Sequence, residues 1–85
     1  MKIYKYNGRC NVSGDNIRLL RERSKLSQEQ LAAKLQLMGL PIHQKAISRI
    51  ETGDRVVADY ELMLLAQVLG VDIYALLAGA PPEAT

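Results

Sequence analysis

Residues 34–53, KLQLMGLPIHQKAISRIETG, decide how the chain folds, because they contain the end of one helix, a stop and a second helix. Gly39 suits the left-handed position that closes a helix. Pro41 cannot continue a helix, because its ring clashes with the preceding turn and it lacks an N–H donor. The second helix is predicted over about 43–51, and Gly53 is placed to close it. The stretch therefore predicts two helices joined by a short break.

The helix before this break has a clear start signal. Ser27 followed by Gln30 fits a capping box, in which each side chain bonds the backbone N–H of the other residue. Apolar residues at helical spacing predict its buried side: Leu31, Leu35 and Met38. We expect this helix to include residues 36–38. Three apolar side chains are expected to cover the break: Leu37, Leu40 and Ile42.

Three further helices are predicted, one before this pair and two after it. They cover about 15–23, 58–69 and 72–79. Residues 1–13 are predicted to form an arm or a weak β-hairpin, because Asn7-Gly8 is a favoured pair for a tight turn. Residues 80–85 are expected to be a mobile tail. The predicted fold class is all-α, with five short helices in one domain over residues 14–79 and no parallel sheet.

The charge of the 85-residue chain is unevenly distributed, although its formal net value is only +2. All eleven Lys and Arg residues lie in residues 1–55 with five acidic residues, so that part carries +6. Residues 56–85 carry four acidic residues and no basic ones, which gives −4. One basic end suits an anionic polymer approached from one side. Chance segregation in a short chain would give the same counts.

The sequence offers little for catalysis. It has one histidine, His43, and one cysteine, Cys10, with no metal-ligand cluster, P-loop, GxGxxG or paired catalytic carboxylates. His43 at a helix start is more often a cap or a phosphate contact, and Cys10 more often a small apolar residue. The lone cysteine and the absence of a long apolar run favour a cytoplasmic setting. We expect a protein that is not an enzyme, with no cofactor, no metal, no membrane contact and no evident small-molecule ligand.

Four segments, in order along the chain, resemble a known family. They are NIRLLR (16–21), LSQEQLAAKL (26–35), AISRIETG (46–53) and LAQVLGVD (65–72). Together they resemble the Cro/CI-type helix-turn-helix family, also called XRE-type, of bacterial and phage regulators. The resemblance covers about residues 14–79 and implies an all-α, five-helix, lambda-repressor-like DNA-binding domain. The break at 38–42 departs from the compact pattern by about five extra residues, against a usual turn of about three to four, and resembles a subset with a lengthened turn.

The resemblance implies sequence-specific binding of double-stranded DNA by a transcriptional regulator, with repression the expected role and the third helix in the major groove. With Ile47 and Ile50 facing inward, four outward residues are expected to read bases: Gln44, Lys45, Ser48 and Arg49. The expected phosphate contacts are Gln28, His43, Thr52 and Arg55. Arg21 and Glu51 are expected to form a salt bridge that positions the reading helix, a role of orientation because an exposed pair contributes only about 0.2–1 kcal/mol. The alternative for the outward set is an ordinary solvated face. Lys2, Lys5 and Arg9 fit either an arm along the DNA backbone or solubilising charges.

The fourth helix carries four consecutive apolar residues at 62–65, more than the single stripe that a surface helix needs. A second apolar surface is therefore predicted: Tyr60, Met63, Leu64, Tyr74 and Leu77, with Val56 and Val57 beside it. An exposed apolar patch implies a partner, and a two-fold homodimer would place two reading helices about 34 Å apart. Two alternatives stay open. A small core uses all these side chains, or the chain is a protein-interaction module, of antitoxin or adaptor type, that binds another protein here.

Overall fold

The computed structural model describes residues 5–78, and that range contains five helices and one isolated β-bridge. The helices are α1 Gly14–Arg23, α2 Gln28–Leu37, α3 Gln44–Thr52, α4 Asp59–Leu69 and α5 Ile73–Leu77. The predicted all-α class is confirmed. The expected mobile tail, 80–85, lies outside the described residues. None of the helices described is long and apolar enough to cross a membrane.

The start of α2 follows the predicted capping box. The Ser27 hydroxyl accepts from the Gln30 N–H (3.0 Å), and the Gln30 side-chain oxygen accepts from the Ser27 N–H (2.8 Å). α3 begins after His43, whose backbone is extended but whose side chain makes no capping bond. The box satisfies two backbone N–H groups at the start of α2. The other backbone N–H groups of the first turn have no partner within the helix and can bond other acceptors.

The break between α2 and α3 is closed by Gly39, which has the left-handed φ of 90°. Its N–H donates to the carbonyl of Gln36 (3.0 Å), and the Leu40 N–H donates to the carbonyl of Leu35 (3.1 Å). This pair of bonds is the Schellman pattern that ends helices. The Gln36 amide also donates to the carbonyl of Ile42 (2.7 Å), so the helix end is joined to the chain that enters α3.

Leu40 and Ile42 are buried beneath this break, as expected, but Leu37 is 89% exposed. The prediction that Leu37 covers the break is therefore wrong. Leu37 lies two residues after the buried Leu35, and two helical residues differ by about 200° around the axis. Its side chain consequently points away from the side of α2 that packs on α3. Met38, predicted on the buried side, is 39% exposed.

The core receives fully buried side chains from every helix. They are Ile17 of α1, Leu31 and Leu35 of α2, Ile47 and Ile50 of α3, Leu65 of α4 and Leu76 of α5. α3 packs against both α1 and α2. Because its apolar residues recur three apart and point into this core, the opposite side of α3 must face outward.

Residues 5–13 precede α1 and form one tight turn. Tyr6 and Arg9 exchange both backbone hydrogen bonds (2.8 and 3.0 Å) across Asn7-Gly8. Asn7 and Gly8 have φ values of 53° and 77°, which a two-residue hairpin turn of this kind requires. After the turn, the chain lies against the C-terminal end of α3 before it enters α1.

Candidate nucleic-acid interface

The outward side of α3 carries the four residues predicted to read bases. Gln44, Lys45 and Arg49 are exposed and Ser48 is half-buried. Lys45 and Ser48 make no side-chain hydrogen bond within the described part of the chain, and Arg49 makes one weak bond to the carbonyl of Asp54 (3.3 Å). These donors and acceptors are therefore available to a ligand.

A polar chain of four side chains fixes this surface from behind, and it consists of Arg21, Glu51, Gln28 and Gln44. Arg21 donates to Glu51 from Nε (2.7 Å) and Nη2 (3.0 Å). Gln28 Nε2 donates to the same carboxylate (3.0 Å), and Gln44 Nε2 donates to Gln28 Oε1 (2.6 Å). These four hydrogen-bonded side chains link α1 and the start of α2 to both ends of α3.

The Arg21–Glu51 ion pair is buried, with side-chain exposures of 11% and 4%. The expectation of an exposed pair is therefore wrong, because α1, α3 and the start of α2 all pack around it. The bond to Glu51 raises the pKa of Arg21 further above its usual value, so the guanidinium stays charged. Arg21 Nη1 also donates to the carbonyl of Leu26 (2.8 Å), next to the capping box of α2.

The polar chain fixes which way both glutamine amides face. The Glu51 carboxylate beside Arg21 only accepts hydrogen bonds, so Gln28 must turn its NH₂ group toward it. The side-chain oxygen of Gln28 then faces Gln44, which must donate a hydrogen bond to it from its own NH₂ group. Gln44 is left with one N–H and its carbonyl oxygen unused by the described residues.

Arg55, predicted as a phosphate contact, is engaged inside the protein. It donates to both carboxylate oxygens of Glu61 (2.9 and 3.0 Å) and to the carbonyl of Val56 (3.1 Å). This bidentate bond raises the pKa of Arg55 and lowers the pKa of Glu61. Glu61 also accepts from the Ala58 N–H (3.0 Å) at the start of α4. A phosphate would have to displace this pair, so we leave Arg55 out of the proposed contacts.

The other predicted phosphate contacts lie near the two ends of α3. His43 is exposed at its start, with Nδ1 at 3.3 Å from the Gln36 amide. Thr52 is exposed at its end, where its hydroxyl contacts Asp54 Oδ2 (2.9 Å) and the carbonyl of Arg49 (3.2 Å). Gln28 lies at the start of α2, next to Gln44. These positions surround the outward side of α3.

The sequence reasoning missed Asn11. Its side chain accepts from the Gly14 N–H (2.8 Å) and donates to the carbonyls of Ile50 (3.0 Å) and Arg55 (2.7 Å). The spacing from Asn11 to Gly14 was a usable signal, because Asn side chains often bond backbone N–H groups a few residues along. Arg9, considered with Lys2 and Lys5 either as an arm along the DNA backbone or as a solubilising charge, donates to the carbonyl of Glu51 (3.3 Å). Lys2 lies outside the described residues.

The predicted second apolar surface spans α4 and α5. Tyr60, Met63, Tyr74 and Leu77 are exposed, while Leu64 is half-buried and packs against the core. Val56 is also exposed beside them. Within residues 5–78, no group of three or more His, Cys, Asp or Glu side chains could hold a metal ion.

Comparison with known proteins identifies this arrangement of helices. A family model described as Helix-turn-helix matches residues 17–76, which include most of α1 and nearly all of the other four helices. Searches of curated proteins and of solved structures gave no significant match. The matched range covers most of the chain and includes α2, the lengthened break and α3. The chain therefore belongs to the Cro/CI-type (XRE) helix-turn-helix family of DNA-binding domains.

Proposed function

We propose that the protein binds a specific sequence of double-stranded DNA as a homodimer, inserts α3 into the major groove and acts as a transcriptional repressor. The observation that carries this proposal is the geometry of Gln44. Its amide is held by Gln28, which is itself held by the buried Glu51. Gln44 is exposed at the start of α3, and this bond leaves its carbonyl oxygen and one N–H unused by the described residues.

The free atoms of Gln44 match adenine. A glutamine that reads adenine accepts from the N6 amino group with its oxygen and donates to N7 with its nitrogen. Gln44 retains one acceptor and one N–H after its bond to Gln28, so both of these bonds are available. Since the polar chain sets the amide orientation in advance, no rotamer has to be selected when DNA binds.

The neighbouring residues supply the remaining contacts. Arg49 and Lys45 can donate to guanine O6 and N7, and Ser48 can bond either kind of base. Gln28 stands at the N-terminus of α2, where free backbone N–H groups and the helix dipole favour a phosphate. His43 and Thr52 flank α3 at its two ends and complete the proposed phosphate contacts.

The proposed dimer uses the exposed apolar residues of α4 and α5. Tyr60 and Met63 lie three residues apart on one side of α4, and Tyr74 and Leu77 are likewise three apart on α5. Association through these side chains would remove them from water and place two copies of α3 about 34 Å apart, one turn of DNA. A dimer that occupies one operator excludes other proteins from the same groove, which is why we propose repression.

The proposal is tested by selecting binding sites from a pool of random duplex DNA at two salt concentrations. We expect a near-palindromic site whose affinity falls steeply as salt rises, because phosphate contacts release counterions. Arg49→Ala should lower affinity for the selected site by about tenfold or more, the value of one good base contact. Arg23→Ala is the matched control, since it removes the same charge from an exposed position at the end of α1.

Two results would count against the proposal. Equal losses for the two variants on selected and random DNA would show that Arg49 does not read a base. A pool that shows no enrichment at either salt concentration would favour a protein-interaction module on the surface of α4 and α5.

Sedimentation of Tyr60→Lys tests the dimer, because a charged side chain at this exposed position should yield a folded monomer if the surface is the interface.

A further inference from the structure

Three consecutive residues before α1 each donate a hydrogen bond to the C-terminal end of α3. The Arg9 guanidinium donates to the carbonyl of Glu51 (3.3 Å), and the Cys10 N–H donates to the carbonyl of Gly53 (2.8 Å). The Asn11 amide donates to the carbonyls of Ile50 (3.0 Å) and Arg55 (2.7 Å). The Glu51 carbonyl is one of the last carbonyls of α3, which have no partner within the helix. The Ile50 carbonyl also accepts from the Gly53 N–H (3.1 Å), so Asn11 adds a second donor there.

Asn11 is the most constrained of the three. Its oxygen accepts from the Gly14 N–H at the first turn of α1, and its nitrogen uses both hydrogens on two carbonyls. All three partners are backbone groups of fixed character, so only one amide orientation satisfies them. Gly14 is part of the same arrangement, because a side chain there would collide with the carbonyl of Ile50 and with Asn11. One side chain thus joins the start of α1, the end of α3 and the loop that follows α3.

α3 is consequently held at both ends by different residues. Gln28 holds its first residue, Gln44, through a side-chain bond. At the other end Arg49 lies one residue before Ile50, whose carbonyl Asn11 holds. Arg21 also holds Glu51 at this end, and Ile50 is buried, so Asn11 is one of several contacts that fix the end of α3 next to Arg49.

We propose that Asn11 is a positioning residue for base recognition, which fixes the end of α3 that carries Arg49. This inference rests on the proposed function, since it assumes that α3 reads DNA. Asn11 itself touches no base. It sets where Arg49 meets the groove, and its loss should weaken selective binding while general attraction to DNA, which depends on charge, is unchanged.

The experiment compares Asn11→Ala with Asn16→Ala. Asn16 is a matched control, because its amide also donates to a distant backbone carbonyl, that of Leu76 (2.9 Å), but it links α1 to α5 rather than to α3. For both variants, affinity is measured for the selected site and for random duplex DNA, and amide hydrogen exchange is measured in the free protein. The amides of Gly53 and Asp54 report on α3, because they close its end by donating to Ile50 and Arg49.

We expect Asn11→Ala to lower the ratio of selected to random affinity by about tenfold, comparable to loss of one base contact. Exchange of the Gly53 and Asp54 amides should accelerate by a similar factor, about tenfold, since the two bonds from Asn11 that stabilise this helix end are removed. Asn16→Ala should leave both quantities within about twofold of the original protein, because it lies outside this network. This pattern would support the positioning role.

Other patterns would overturn it. Equal effects of the two variants on the affinity ratio would reduce Asn11 to a general stabilising residue. If Asn11→Ala does not fold, Asn11→Asp replaces it, since it keeps the acceptor for Gly14 and loses the two donors; failure of both to fold would also overturn the proposal. If the unaltered protein shows no sequence preference, the proposed function fails. The exchange measurement then still decides whether Asn11 holds the end of α3.

Discussion

The buried pair of Arg21 and Glu51 makes a strong prediction about stability. Glu51 accepts three hydrogen bonds, two from Arg21 and one from Gln28, within an almost fully buried carboxylate. Glu51→Ala removes all three and leaves the buried Arg21 guanidinium with the carbonyl of Leu26 (2.8 Å) and, more distantly, the Glu22 carboxylate (4.0 Å). Breaking a buried pair by removing one partner costs about 3–5 kcal/mol, because the remaining charge is uncompensated. A domain of this size has a total unfolding free energy of about 4–13 kcal/mol.

The double variant Arg21→Met with Glu51→Leu separates stability from function. Replacing both charges by apolar side chains of similar size removes the desolvation cost, and such exchanges are often neutral within about 1 kcal/mol or stabilising. We therefore expect the double variant to regain most of the unfolding free energy that Glu51→Ala loses. Gln28 would still lack its anchor, so selectivity for the binding site should remain low even though the fold is restored.

Urea unfolding followed by circular dichroism measures these free energies, provided that the slope with urea is unchanged among the variants. A loss below about 1 kcal/mol for Glu51→Ala would refute the reasoning, because that is the range of an exposed ion pair. A double variant as unstable as the single one would also refute it, since the cost would then come from packing rather than from an unpaired charge.

Three further changes test other parts of the structure. Leu40→Ala should lower the unfolding free energy by about 2–5 kcal/mol because Leu40 is buried, whereas Leu37→Ala should change it by less than about 0.5 kcal/mol; similar urea midpoints for the two would contradict this account of the break. Lys25→Gly should stabilise the protein by about 0.5–1 kcal/mol, because Lys25 closes α1 with a left-handed φ of 59°, which is unfavourable for a residue with a side chain. Lys34→Gly, inside α2, should destabilise the protein by about 1 kcal/mol. Shifts of the melting temperature in the same direction for both variants would refute the argument. Because the folded pKa of Glu61 lies below 4.5, its ion pair stabilises the protein above about pH 4.5, and that contribution is lost as the pH falls through the folded value. Glu61→Gln should therefore weaken the acid dependence of unfolding below about pH 4.5. An unaltered dependence in urea titrations at several pH values would exclude this role.

The features that sequence could predict are those encoded locally. The capping box of Ser27 and Gln30 needs residues three apart, and the stop at Gly39 needs one residue without a side chain. The inward direction of Ile47 and Ile50 follows from helical spacing alone. Each of these signals lies within a few residues, so the helices and the outward side of α3 were accessible from the sequence.

The remaining features depend on contacts between distant residues. Asn11 meets Ile50 across 39 positions of sequence, and no local pattern indicates that contact. Arg55 lies only six residues before Glu61, but it is outside a helix, so helical spacing gives no reason to pair them. The burial of Arg21 is likewise a product of three packed helices. The sequence shows that two opposite charges are present, and only the fold shows how little water reaches them.

The polar chain also separates the residues of α3 into two kinds with different freedom to vary. Gln44 is bonded to Gln28, so exchanging it would disturb a network that extends to the core. The side chains of Lys45 and Ser48 make no hydrogen bond to the residues described, and Arg49 makes only a long one to the carbonyl of Asp54 (3.3 Å). Under the proposed function, exchanges at these three positions would change the preferred DNA site while the fold stayed the same. For protein design, the same division indicates which residues of α3 can be exchanged without disturbing the hydrogen bonds that support the helix.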